Sequence, residues 1–179
     1  MTDFTGTYVL DAAHSEIGFV TRHAAVTKVR GKFDEFDASV TIDGAAPANN
    51  KAVATIKTHS LNTGNADRDA HVRGDDFFSV EQFPEIHFEA EGFDFQGQEE
   101  FEVEGNITIK GVTKPVRLNV EFLGVAEDPY GQTRLGFAAS TKINRKDFGI
   151  DFNAPLKTGG LLLSEEIKIE IDGSAVKQG

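Results

Sequence analysis

The sequence contains no cysteine and no tryptophan, a single methionine, and 5 prolines in 179 residues. Without cysteine there is no disulfide framework, no thiolate metal site and no cysteine nucleophile. Cations are scarce too: Lys plus Arg number 18 against 29 Asp plus Glu, a net charge of −11 at pH 7. A surplus of that sign opposes any nonspecific grip on phosphate backbones, so nucleic acid is not an expected partner. No run approaches the roughly 18 apolar residues of a membrane-spanning helix, and stable membrane insertion is not expected either. Met1–Tyr8 has neither the basic nor the apolar stretch of a secretory leader. The expectation is a cytoplasmic chain folded as one domain over residues 1–179.

What the sequence has in abundance is alternation. Phe101, Val103, Ile107 and Ile109 share one phase and Glu100, Glu102, Glu104, Asn106 and Thr108 the other. After a Gly/Pro-marked turn, Val116, Leu118, Val120 and Phe122 repeat the pattern opposite Arg117, Asn119 and Glu121. A period of two with one apolar and one charged face is the pattern of antiparallel strands with a dry and a wet side. About nine such runs are found along the chain. The step of three from Phe33 to Phe36 predicts a bulge near Asp34 and Glu35, and the phase change from Ala90 to Phe93 predicts a second near Gly92. Helix is confined to one segment, Ala66–Arg73, where Asn65 is a cap and Asp67 and Asp69 occupy the first turn.

Alternating strands without a βαβ rhythm leave two architectures, an antiparallel barrel or a sandwich. Long strands with two bends favour a closed barrel of about eight strands. The interior of such a barrel is either packed or holds one small ligand. Phenylalanine is frequent, 15 residues, and the small residues Gly31, Ala38, Ala90, Gly105, Gly136 and Ala139 recur among the apolar positions. They either leave room for a ligand or offset large neighbours in a filled core.

Several ordered blocks together resemble the YceI-like family: residues 11–23, 30–33, 67–78, 83–88, 105–118 and 143–150. The resemblance spans nearly the whole chain. It implies an all-β, lipocalin-like antiparallel barrel with an elongated apolar cavity that binds a long-chain amphiphile, typically a polyprenyl phosphate or an isoprenoid quinone. Many members are periplasmic and carry a leader; this chain departs from them at Met1–Tyr8. On this reading the chain is a lipid carrier with no catalytic residue, no metal and no cofactor beyond the lipid, and a homodimer is plausible.

The candidates for lining the cavity are Phe19, Phe33, Phe36, Val40, Phe88, Phe101, Ile107, Leu118, Val120, Phe122 and Phe137. Arg68, His71 and Arg73 of the helix, with His14, are the head-group candidates, since a head group near the mouth needs only one or two donors. Each has a structural alternative. Asp69 with Arg73 forms an i,i+4 pair on a solvated face, Asp11 with His14 ties a strand end, and Arg145 anchors its turn through a carboxylate. His14, His23, His59, His71 and His87 show no ligand spacing for a metal. Two rival functions remain: a lipid-modifying enzyme using His and Asp at the barrel mouth, and a stress-linked structural protein with a filled core.

Overall fold

The computed structural model describes residues 3–24, 26–152 and 164–179. Its strands are β1 (Gly6–Leu10), β2 (Glu16–His23), β3 (Thr27–Phe33), β4 (Phe36–Ile42), β5 (Lys51–Lys57) and β6 (Leu61–Asn62). After helix α1 (Ala66–Arg73) come β7 (Glu85–Glu91), β8 (Glu100–Ile109), β9 (Val112–Glu127), β10 (Thr133–Asn144) and β11 (Glu166–Lys177). They form one sheet in the order β1-β4-β5-β7-β8-β9-β10-β11-β2-β3-β6, and a further β1–β11 pairing closes it.

Two staves of this barrel are composite. β11 pairs β2 through Lys168–Asp172 and β1 through Ala175–Lys177, so β1 and β2 form a single stave interrupted at residues 11–15. β3 against β2 and β4 against β1 make the next stave in the same way. Counted by stave, with the two-residue β6 as a flank, the barrel has 8 antiparallel strands. Among the described residues no helix is long and apolar enough to cross a membrane.

The alternation read from the sequence runs true along β8, where Val103, Ile107 and Ile109 are buried and the intervening glutamates exposed. Lys110 and Gly111 both have positive φ, 51° and 78°, the left-handed pair whose twist suits a two-residue hairpin between β8 and β9. At neither expected bulge does a single strand continue. Between Phe33 and Phe36 the chain turns a corner: Asp34 N–H donates to the Ser60 carbonyl at 3.0 Å and Lys57 N–H to that of Glu35 at 3.0 Å. The stave thereby passes from β6 to β5 as its neighbour. At Gly92, φ +71°, β7 has ended, and the chain crosses the barrel end with Phe93 and Phe95 buried. The period change was real, and its cause was departure from the strand. The register shift that does occur lies between β9 and β10, where Phe137 faces Phe122 but Gly136 faces Gly124.

Inside, two apolar clusters divide the barrel lengthwise. One is built on Ile17, Phe33, Leu61, Phe77, Ile107 and Phe148, the other on Tyr8, Ile42, Phe93, Phe95, Val103 and Leu135. Gly31 and Gly105 leave room in an indirect way. A Cβ on Gly31 would stand 2.2 Å from the Phe19 ring, one on Gly105 2.8 Å from Phe88, and one on Gly173 2.4 Å from Phe137. These rings lie flat on the barrel wall because the neighbouring strand offers bare backbone, the cross-strand glycine–aromatic pairing that curved sheets use.

Polar groups fasten the wall where the ladder breaks. Asp11 accepts from Arg134 Nη1 at 2.8 Å, from His14 Nδ1 at 2.8 Å and from Ala13 N–H at 3.1 Å, while Arg134 Nε donates to Asp128 at 2.9 Å. Asn50, 1% exposed, donates to the Phe93 carbonyl at 2.7 Å and accepts from Asp43 N–H at 2.7 Å.

Two outcomes follow. Asn50→Ala leaves the buried Phe93 carbonyl and the part-buried Asp43 N–H unpaired and lowers stability by about 2–4 kcal/mol in urea unfolding. The second concerns pH. Hydrogen bonds from Arg134 and then His14 hold the Asp11 carboxyl at about 2, below its usual 3.8. A depressed carboxylate stabilises the fold above its unfolded value and ceases to as pH falls through the folded one. Unfolding midpoints measured from pH 5 to pH 2 therefore fall less steeply for Asp11→Asn than for the parent chain.

Candidate functional site

The barrel lumen holds two voids. The larger, about 600 Å³, lies at the α1 end, and the smaller, about 180 Å³, lies at the end crossed by Phe93 and Phe95. The larger is in the size range of small-molecule sites.

The smaller void is apolar on every side. Val40, Phe88, Phe101 and Leu118 border it, as do Val120, Phe122 and Phe137. Ala38, Ala52 and Ala139 add little bulk to the same wall. Tyr8 also lines it, but its hydroxyl turns away and donates to the Phe4 carbonyl at 2.8 Å. Of the other cavity candidates, Phe19 and Phe33 border the larger void. Phe36 and Ile107 pack in the core around it and border neither. Periodicity missed Phe77, Phe78, Phe148 and Phe152, which line the larger void from segments between strands, where alternation gives no signal.

One side of the larger void is polar: Thr21, His23, Thr63, Asn65, Asp67, Arg68 and His71 border it. Asn65 Oδ1 accepts from Arg68 N–H at 3.0 Å, so the capped N-terminus of α1 sits at the void. Arg68 is held by Thr63, through Nε to Oγ1 at 2.8 Å and Nη2 to the carbonyl at 3.0 Å. His71 Nε2 bonds Asp76 at 2.9 Å, and its ring stands edge-on to Phe77 and Phe152 at 5.1 and 4.9 Å.

The other two head-group candidates lie elsewhere. Arg73 points to β6, donating to the Leu61 carbonyl at 2.6 Å, and borders neither void. Its expected partner Asp69 is buried and accepts instead from Thr63 N–H at 2.9 Å. Five residues separate Arg68 from Arg73, a rotation of about 500°, which places them on different faces of the helix. His14 stands on the outer wall against Asp11, exposed, and borders neither void.

Arg145, expected to anchor its turn, is 4% exposed and borders the larger void. It donates to the carbonyls of Ser164 at 2.9 Å, Ile150 at 2.7 Å and Phe152 at 2.9 Å. Burial pulls its pKa down, while the Glu165 and Asp151 carboxylates oppose that shift. The anchor thus works through backbone oxygens, with the carboxylates contributing at a distance.

Comparison with known proteins agrees with this architecture. A UPF0312 protein of Staphylococcus aureus is 40% identical over 171 residues, 95% of each chain. The crystal structure of the Campylobacter jejuni YCEI protein superposes with a TM-score of 0.75 at 32% identity, covering 100% of both chains. A polyisoprenoid binding domain from Saccharophagus degradans shares the fold, with a TM-score of 0.70 over 96% of this chain and 98% of its own, at 17% identity. The model of the YceI-like domain matches residues 8–175, nearly the whole length, and the chain belongs to that family.

Proposed function

We propose that this protein binds a long-chain amphiphile of the isoprenoid class and carries it with the tail in the apolar end of the barrel and the head at the α1 end. The observation that carries this reading is the contrast between the two voids, one apolar and the other bordered by Arg68, His71 and Arg145 with one carboxylate, Asp67. Side chains around an unfilled apolar lumen lack partners on one side, and an apolar chain in the void supplies them. The neighbour described as a polyisoprenoid binding domain shares this fold. A polyprenyl phosphate and an isoprenoid quinone both have the required form.

A tail buried at about 0.8 kcal/mol per CH₂ supplies affinity without a precise polar site, so shape selects the tail and a few donors select the head. Native mass spectrometry of the purified protein, with organic extraction of what it carries, tests the reading: a long-chain lipid supports it. A protein that neither carries nor takes up any apolar chain refutes it. Within it, Val120→Asp places an unpaired carboxylate in the apolar void and lowers folding or binding by several kcal/mol. Arg68→Ala weakens a polyprenyl phosphate about tenfold or more and leaves the parent alcohol nearly unchanged, the loss of one charge-assisted hydrogen bond. Equal effects on both ligands rule out a head-group role for Arg68.

A further inference from the structure

The smaller void ends against a stack of aromatic rings contributed by separate segments. Phe95 and Phe122 line it, with ring centroids 5.2 Å apart at 89°. Phe4, from the segment before β1, packs on both from behind, at 5.1 Å from Phe95 and 5.5 Å from Phe122. Phe101 of β8 meets Phe95 at 5.0 Å.

Polar bonds outside the void hold these rings. Tyr8 Oη donates to the Phe4 carbonyl at 2.8 Å, and Gly92 N–H donates to the Asn50 carbonyl at 2.8 Å. Asn50 Nδ2 in turn holds the Phe93 carbonyl at 2.7 Å. Gly97 has φ +90°, and a Cβ there would stand 2.7 Å from the Phe4 ring, so the crossing segment closes on Phe4 only with glycine at that position. The floor is therefore braced by hydrogen bonds and close packing, and an approaching chain meets fixed rings.

We propose that the Phe4–Phe95–Phe122 stack is the chain-length stop of the barrel, resting on the amphiphile reading above. With the head at the α1 end, each methylene that still fits inside adds roughly fourfold to the affinity. A methylene beyond the rings must displace them or push the head outward, and it adds nothing. Affinity for a homologous series then rises with length and levels at the length that reaches Phe95 and Phe122.

The test uses linear isoprenoid alcohols of increasing length, titrated by displacement of a polarity-sensitive fluorophore. The parent chain is compared with Phe4→Ala, Phe4→Leu, Phe122→Ala and Ala139→Leu, each checked for a cooperative unfolding transition. The expected result is a levelling point that moves to longer alcohols in Phe4→Ala and Phe122→Ala. It moves to shorter ones in Ala139→Leu, which adds bulk to the wall of the void. Phe4→Leu keeps an apolar brace and shifts the point less than Phe4→Ala, so a variant that folds poorly does not decide the matter alone. A levelling point at the same length in every folded variant overturns the stop while leaving the amphiphile reading in place. No binding at any length by the parent chain overturns that reading and the stop with it.

Discussion

A single strand serving two partners is the constraint on which the rest of this structure depends. β11 carries β2 at its start and β1 at its end, and this double pairing closes the sheet. Closure removes free edges, so the backbone of the wall is satisfied within the wall and the lumen needs no polar side chain on its account. The stave made of β1 and β2 must nevertheless leave the ladder at residues 11–15. There Asp11 N–H donates to the Ser174 carbonyl at 2.8 Å and Ser174 N–H to Ser15 Oγ at 3.0 Å, replacing the missing rungs. The ion cluster of Asp11, Arg134 and Asp128 joins this gap to the β9–β10 hairpin, which accounts for a charged knot on the barrel wall.

An eight-stranded barrel is just wide enough for its own side chains to fill. Upright rings from Phe19, Phe88 and Phe137 would do so. They lie down because Gly31, Gly105 and Gly173 present backbone where a Cβ would collide with them. Glycine in a strand is locally unfavourable, and an unfilled interior forgoes packing energy. Both departures from what stability alone prefers occur in the same lumen, and such coincidences mark places where a fold is shaped by something other than its own packing.

The parts legible in the sequence were those with a local cause. Alternation in β8 and β9 follows from the period of two, and α1 from Asn65 with Asp67 and Asp69 behind it. Breaks in the period at Phe33–Phe36 and Ala90–Phe93 were visible, but a bulge, a corner and a strand end leave the same trace, and only pairing distinguishes them. The composite staves were illegible because the pairing of β1 with β11 joins residues more than 160 positions apart. Arg68 and Arg73 looked alike for a comparable reason. Which of them meets the void is decided by how α1 docks on β6, where Arg73 finds the Leu61 carbonyl. Phe77 and Phe152 reach the lumen from irregular segments, so no periodicity announces them.

The two ends of the lumen discriminate by different physics, and their separation keeps the two independent. At the α1 end Arg68, Arg145 and Asp67 border the larger void, a field of two cations and one carboxylate in a protein of net charge −11. Burial lowers the pKa of Arg145, yet a guanidinium starts so high that it remains charged at any physiological pH. Such a field acts on the sign of a head group and is insensitive to tail length. At the other end Phe95 and Phe122 present no polar atom to the void, so that end responds to length and bulk and is indifferent to charge. Changes at sites that share no partner add in free energy. In the amphiphile reading, and for a chain short enough to end before the rings, loss of Arg68 therefore shifts affinity by the same factor whether the floor is intact or open, whereas a filled core has no reason to separate the two effects.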